Sequence, residues 1–281
     1  MSERFCDLHT HSRFSDGTLT PSELVSEAKR VGLSAVALTD HNTISGLSEF
    51  ISEGQRQGIE AIPGCEFSTD YNGIELHIIG LFISPSFFSE VGDFLEEGVR
   101  QKKENTLRLI EALRKGGMSL DYDEIKSKAG GEINRAHIAS ELCEKGYAAS
   151  VDDAFRRFLD PKHGYYKKLR RVSTTEAIGF IRSLGAVPIL AHPLLDLDEL
   201  ELLRFLPAAI DTGLCGIETD YTKFDESKRK TLRKIADSFG ICRSGGSDFH
   251  GERKPDVALG TGHGDLKVPY EYLQRLKNLA R

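Results

Sequence analysis

The order of apolar and amphipathic segments constrains the fold of this chain more than any other feature. Short apolar runs typical of strands alternate with helix-like periodicity near both ends of the sequence. The strand-like runs occupy residues 4–10, 33–39, 59–63, 74–83, 187–191, 215–220 and 241–244. Strands that alternate with helices usually run parallel, with the helices outside, so the pattern predicts an α/β fold. A nearly closed barrel is the economical arrangement, and an open doubly wound sheet is the alternative.

This alternation is interrupted between residues 88 and 171. A long charged helix is predicted near 88–115, and a second near 135–145 that Gly146 ends. A third begins at the capping pattern Ser150-Val151-Asp152-Asp153. The sequence therefore predicts two parts. Residues 1–87 and 172–281 form a barrel, and residues 88–171 form a helical insertion.

Charge and hydropathy limit the partners of this chain. The net charge is −6, which argues against general binding to duplex nucleic acid. There is no run of eighteen apolar residues, and the first residues lack the apolar core of a signal peptide. We therefore expect a cytoplasmic protein that does not enter a membrane. The sequence leaves the oligomeric state open.

Histidine and carboxylate side chains recur at the predicted strand ends. His9 and His11 are two residues apart in the first strand, so they share a face, and Asp7 lies beside them. Similar positions in the later strands are held by His41, Glu66, His77, His192, Asp248 and His250. In parallel α/β folds, functional residues lie at the carboxyl ends of the strands. Imidazole with carboxylate suits zinc, manganese or iron, so a metal site is predicted.

The ordered motifs resemble those of the PHP (polymerase and histidinol phosphatase) family. They are DLHTHS, TDHN, ELHIIG, LAHP and GGSDFH, together with Asp16 and Glu66. Residues 131–145 and 154–167 are similar to the insertion of a subgroup labelled TrpH-like metal-dependent phosphoesterases. The resemblance spans residues 5 to about 262. It implies a distorted (β/α)7 barrel whose helical insertion covers a di- or trinuclear metal centre.

The same resemblance implies three metal positions for two to three divalent ions (Mn, Zn or Fe). The first position would use His9, His11, Glu66 and Asp248. The second would use Glu66 as a bridge, with His77 and His192. The third would use Asp16, His41 and His250. Among nearby carboxylates, Asp40 and Glu218 are candidates to orient the histidines.

The resemblance further implies phosphate ester hydrolysis, in which a metal-bridging hydroxide attacks phosphorus. The predicted catalytic residues are Glu66, Asp248, Arg135 and His137. Arg135 and His137 would bind the substrate phosphate, and Lys168 would bind a second phosphate. A solvated helix end for Arg135 and His137, and an exposed basic face for Lys168, are the alternatives.

Several functions are compatible with these features. The favoured one is a phosphoesterase acting on a small phosphorylated molecule, such as a nucleoside bisphosphate or cyclic phosphate. The alternative is an exonuclease-like phosphodiesterase acting on short oligonucleotide ends. A non-catalytic metal-binding domain is disfavoured by the full set of ligands. Carbon–nitrogen bond hydrolysis is disfavoured by Arg135.

Overall fold

A computed structural model describes residues 4–129, 133, 135–166 and 172–281. The chain divides into two compact units. The first consists of Met1–Asp93 with Arg171–Arg281, and the second of Phe94–Arg170. The second unit is thus an excursion between two stretches of chain that together build the first.

Eight strands form a single sheet in the first unit, in the order β7-β6-β5-β4-β3-β2-β1-β8. They are β1 (Phe5–Asp7), β2 (Ala35–Leu38), β3 (Glu60–Tyr71), β4 (Ile74–Leu81), β5 (Val187–Leu190), β6 (Gly216–Tyr221), β7 (Cys242–Gly246) and β8 (Val268–Pro269). The N–H of Leu8, just after β1, donates to the carbonyl of Gly245 in β7 over 3.1 Å. The first and last long strands therefore meet, and the predicted distorted α/β barrel is confirmed.

Strand β4 runs opposite to the parallel strands of the barrel. It pairs antiparallel with both β3 and β5. A tight turn at Asn72 (φ 51°) and Gly73 (φ 93°) reverses the chain between β3 and β4. Two consecutive residues with positive φ are the mark of a hairpin turn, and Asn-Gly is a favoured pair for it. As a result β3 continues to Tyr71, beyond the predicted end at residue 63, and Glu66 lies inside the strand.

Eleven helices complete the described chain. They are α1 (Pro21–Arg30), α2 (Leu47–Gln57), α3 (Phe88–Lys115), α4 (Tyr122–Ala129), α5 (Arg135–Glu144), α6 (Val151–Ala154), α7 (Thr174–Ser183), α8 (Pro193–Asp196), α9 (Glu199–Thr212), α10 (Glu226–Phe239) and α11 (Tyr270–Lys277). Helix α1 begins as its sequence predicts, because Thr20 and Glu23 form a reciprocal capping box. Helices α4, α8 and α11 were not predicted. None of the described helices is both long and apolar enough to cross a membrane.

Each unit has its own apolar core. In the first unit, Leu8, Ile79, Ile189 and other buried side chains fill the barrel. In the second unit, Leu113, Ile138 and other apolar side chains pack together. A separate core is what allows a helical unit to be inserted into a barrel without disrupting it.

Candidate metal centre

The histidine and carboxylate residues predicted from the sequence meet at one end of the barrel. The motifs at the two ends of the chain are joined directly by backbone hydrogen bonds. The N–H of Asp248 donates to the carbonyl of His9 over 2.9 Å, and the N–H of His11 donates to the carbonyl of Phe249 over 2.9 Å. This pairing follows from barrel closure, which puts the ends of β1 and β7 side by side.

Glu66 lies at the middle of the cluster and is fully buried. One carboxylate oxygen, Oε2, faces three imidazoles: His9 at 3.1 Å, His11 at 3.3 Å and His41 at 3.0 Å. The other, Oε1, faces His77 at 2.9 Å and His192 at 3.2 Å. The two oxygens of Glu66 thus face two separate groups of histidines, and this carboxylate is shared by both groups.

Four side-chain atoms form the tightest group: Nε2 of His9, Nε2 of His11, Oε2 of Glu66 and Oδ1 of Asp248. Five of their pairwise distances lie between 3.1 and 3.7 Å. Four ligands placed tetrahedrally at ~2.05 Å from one ion would be separated by ~3.3 Å. The two imidazole nitrogens face each other at 3.1 Å, which suits a shared cation. The donor set therefore fits a divalent metal.

Two further groups adjoin this one. His41, Glu66 and His77 each offer a ligand atom within 4.8 Å of the others. His11, Asp16, His41 and His250 do the same, and Nε2 of His250 lies 3.2 Å from Oδ1 of Asp16. Nδ1 of His11 is buried without a hydrogen-bond partner. The structure thus brings seven of the nine residues predicted as ligands into overlapping groups able to hold a metal, and it places Asp248 3.2 Å from His11 and His192 3.2 Å from Glu66.

The carboxylates of the cluster are held ionised by the imidazoles. Burial alone raises the pKa of a carboxyl, but His9, His41 and His77 hold the pKa of Glu66 well below its usual value. In the same way, His11 and His9 outweigh burial and hold the pKa of Asp248 well below its usual value. Both groups therefore carry the negative charge that a cation requires.

The pKa values of the histidines in the cluster are shifted in opposite directions. Burial opposes protonation of His11, but hydrogen bonds to Asp248 and Glu66 raise its pKa to about 9. Glu66 likewise outweighs burial and raises the pKa of His77 to about 10. Burial dominates at His41 and lowers its pKa to about 4. Without metal, protons on the rings partly balance the buried carboxylates.

The second oxygen of Asp248, Oδ2, is bound by two donors. The hydroxyl of Tyr221 donates to it over 2.8 Å, and Nζ of Lys254 donates over 2.7 Å. Tyr221 is buried at the end of β6, whereas Lys254 is about one third exposed. Lys254 follows His250 closely in the sequence, which predicts a place at the rim of the site, whereas our sequence analysis did not identify Tyr221. The only signal was that β6 precedes β7, whose end carries Asp248.

Other buried carboxylates hold the frame of the site. Oε1 of Glu218 lies 3.0 Å from Nδ1 of His9, and its Oε2 accepts from the N–H of His192 over 2.7 Å, so Glu218 orients histidines as proposed. Asp40 does not contact His41; it accepts hydrogen bonds from Ser12 and Ser15 and so fixes the loop after β1. The position of Asp40 one residue before His41 directs its side chain away from the ring.

Two ligand candidates have strained backbones. His192 has φ 28° and Asp248 has φ 57°, values that residues other than glycine seldom adopt. Such conformations persist where the surrounding structure determines them, and they concentrate at functional sites. Here they turn the chain sharply after β5 and β7, so that His192 reaches Glu66 and Asp248 reaches His11.

The cluster has a buried floor and an open rim. His9, His11 and Glu66 are inaccessible to solvent. The side chains of His41 and His77 are 26% and 21% exposed, and that of Lys254 is 32% exposed. A substrate must therefore approach from the side of the rim.

The predicted phosphate-binding residues belong to the second unit. Arg135 lies exposed in the first turn of α5, with its guanidinium 4.7 Å from the centre of the Tyr166 ring. His137 is half-buried in the same turn. Lys168 lies outside the described residues. Their role toward the cluster stays a prediction.

Comparison with known proteins adds a family assignment to this geometry. A family model described as the PHP domain matches residues 7–145. The chain is 33% identical over 245 residues to a 5'-3' exoribonuclease of Haemophilus influenzae, covering 87% of this chain and 89% of that protein. It is 32% identical over 263 residues to a 3',5'-nucleoside bisphosphate phosphatase of Chromobacterium violaceum, covering 89% and 90%.

A solved structure agrees with the barrel and its insertion. It is similar to this chain with a TM-score of 0.72 and 27% identity, and it covers 99% of this chain and 97% of its own. That protein, from Bifidobacterium adolescentis, is assigned as a metal-dependent phosphoesterase.

Proposed function

Because this chain belongs to the PHP domain family and is a metal-dependent phosphoesterase like its relatives, we propose that it hydrolyses a phosphate ester of a nucleotide. A nucleoside 3',5'-bisphosphate is the leading substrate, since a 32% identical relative is named for that activity. The substrate is small, and the products are inorganic phosphate and an alcohol.

One observation carries this proposal: Glu66, with its two oxygens addressed by five histidines. We assign three metal positions around it, as the sequence implied. His9, His11 and Asp248 would complete the first, and His77 and His192 the second. Asp16, His41 and His250 would form the third. The mixed nitrogen and oxygen donors are compatible with two to three ions of manganese, zinc or iron.

The chemistry of bound divalent ions at this site is charge neutralisation of the phosphoryl oxygens and a lowered pKa for coordinated water. The residues of the chain supply the rest. Glu218 fixes the His9 ring through Nδ1, so that Nε2 points into the cluster. Because His9, His11 and Glu66 are buried, bulk water can reach the cluster only from the rim.

The helical unit would supply substrate recognition. We propose that Arg135 binds the phosphate in bidentate fashion, because a guanidinium presents paired N–H donors that match phosphate oxygens. His137, two residues after Arg135 in α5, would donate a further hydrogen bond. Lys168 would hold a second phosphate. Stacking on Tyr166 supports this role for Arg135, since it orients the guanidinium plane.

A second candidate function is cleavage at oligonucleotide 5' ends, and a specific relationship favours it. The chain is 33% identical to a protein named as a 5'-3' exoribonuclease, across most of both sequences. A 5'-phosphorylated oligonucleotide shares a phosphate and sugar with a nucleoside bisphosphate, so one site could accept both. The two functions differ in the length of the leaving group.

A phosphate-release screen tests the proposal. Manganese-loaded protein would be incubated with nucleoside mono- and bisphosphates, cyclic phosphates and short 5'-phosphorylated oligonucleotides. We expect release from a bisphosphate, and loss of that release in Glu66→Gln and in protein stripped with a chelator. Nucleotide-by-nucleotide shortening of the oligonucleotide without release from any small ester would establish the second function instead.

A further inference from the structure

Lys254 places a positive charge at the rim of the metal cluster. Its Nζ lies 2.7 Å from Oδ2 of Asp248, and its side chain is 32% exposed. The other oxygen of Asp248 faces His11 at 3.2 Å and His250 at 3.4 Å. The carboxylate of Asp248 therefore lies between the ammonium group of Lys254 and the imidazoles of His11 and His250.

We propose that Lys254 is a substrate-binding residue, whose ammonium group contacts the phosphoryl group held at the metal cluster. This inference rests on the proposed function, because it assumes that a phosphate enters at the rim. It adds a recognition residue contributed by the barrel itself, independent of the helical unit.

The hydrogen bonds to Asp248 allow Lys254 to bind a phosphate without leaving the buried oxygen of Asp248 unsatisfied. Oδ2 of Asp248 also accepts from Tyr221 over 2.8 Å, and Tyr221 is 1% exposed. If Lys254 turns toward a phosphate, Tyr221 still satisfies that buried oxygen. An ammonium group has three donor hydrogens, so Lys254 can also keep Asp248 while it donates to a second acceptor.

The backbone at Lys254 is fixed while its side chain is not enclosed. Its N–H donates to the carbonyl of Gly251 over 3.1 Å, and its carbonyl accepts from the N–H of Val257 over 3.0 Å. Pro255 follows directly and restricts the chain further. The four-carbon stem thus starts from a defined point, and only the exposed tip needs to move.

Charge balance favours an anion at this position. Asp16, Glu66 and Asp248 place negative charge at the cluster, and each would repel a phosphate dianion. Bound metals offset part of this charge. The ammonium group of Lys254 adds a positive charge on the exposed side, where a phosphate oxygen not bound to metal would lie. Such a contact is a charge-assisted hydrogen bond.

The test measures the binding of inorganic phosphate, a reaction product, to manganese-loaded protein by titration calorimetry. Lys254→Met keeps the apolar stem and removes the charge. We expect it to weaken phosphate binding roughly 10- to 100-fold with an unchanged manganese content by elemental analysis. Lys254→Arg should keep binding within a few-fold. The control is Lys230→Met on the exposed face of α10, which should bind like the wild type.

Tyr221→Phe separates substrate binding from an indirect effect through Asp248. It removes the other donor from the same oxygen and should leave phosphate affinity within about three-fold. Equal weakening in Tyr221→Phe and Lys254→Met, or unchanged affinity in Lys254→Met, would overturn the inference. The proposed function fails separately: if no ester is cleaved while Lys254→Met still loses phosphate binding, the hydrolytic function falls and Lys254 remains a phosphate-binding residue only.

Discussion

Nδ1 of His9 lies 3.0 Å from Oε1 of Glu218, and both side chains are fully buried. The second oxygen of Glu218 accepts from the backbone N–H of His192, so one carboxylate orients two of the proposed ligands. A histidine that binds metal through one nitrogen commonly donates its other N–H to such a group.

Glu218→Gln should weaken metal binding about 10- to 100-fold, because the amide offers one acceptor oxygen where two are needed. Competition with a chromogenic chelator measures the affinity. Glu271→Gln, an exposed change on α11, is the control. Wild-type affinity in Glu218→Gln would show that the contact with His9 does not support the metal.

Glu66→Gln should lower turnover by orders of magnitude and reduce the metal content, without unfolding the chain. The amide keeps the shape of the side chain but loses the negative charge that five imidazoles address. Turnover, elemental analysis and a thermal melt would be compared with the wild type. Normal turnover with full metal loading would exclude Glu66 as a bridging ligand.

Metal binding should release protons at pH 7, and its affinity should rise with pH. The pKa values of His11 and His77 are about 9 and about 10 in the metal-free protein, above the ordinary value of 6.5. Both rings therefore hold a proton at pH 7 that a metal must displace, and the competition weakens as pH approaches those values. Calorimetry in buffers of different ionisation enthalpy measures the release. Identical enthalpies in all buffers would contradict it.

Arg135→Ala should reduce kcat/KM roughly 30- to 1,000-fold, which corresponds to a loss of about 2–4 kcal/mol of transition-state stabilisation. The metal content should be unchanged. Arg135→Lys should recover little, because a point charge does not reproduce the paired donors. Lys168→Ala should impair bisphosphates far more than monophosphates. An unchanged kcat/KM in Arg135→Ala would remove this residue from substrate binding.

Asp7→Ala should destabilise the barrel by about 2–4 kcal/mol, since it leaves several buried donors without a partner. Asp7 on β1 accepts from the N–H and hydroxyl of Ser247, after β7, and from the N–H of Gly260. Chemical denaturation of metal-free protein isolates this effect. Asp211→Ala, exposed on α9, is the control. Equal stability of both variants would show that these bonds do not secure the closure.

The barrel and the clustering of its histidines and carboxylates could be predicted because both depend on local patterns. His9 and His11 share a face through the two-residue period of a strand, and the ends of parallel strands meet in any barrel. The direction of β4 could not be predicted from its apolar run, which looks the same in either direction. The turn signal Asn72-Gly73 was present in the sequence and would have indicated the hairpin.

The contacts that the sequence did not reveal join residues that lie far apart along the chain. Tyr221 ends a buried strand, where an aromatic residue normally serves packing alone. Its hydroxyl matters because β6 pairs with β7, and that pairing places Asp248 within 2.8 Å. For Lys254, the sequence indicates a place near the site, shortly after His250, but not the contact with Asp248, which forms only when the loop after β7 is folded. Such contacts follow from sheet order, which spacing along the chain does not specify.

Because β1 must meet β7, the metal cluster can be completed only late in the synthesis of the chain. Six of the proposed ligands, from His9 to His77, leave the ribosome early. His192, Asp248 and His250 follow only after the helical unit and most of the barrel. A nascent or truncated chain therefore holds half-formed metal positions beside an unpaired β1 edge. Complete metal loading therefore requires that the chain has been made through His250 and that β1 has met β7.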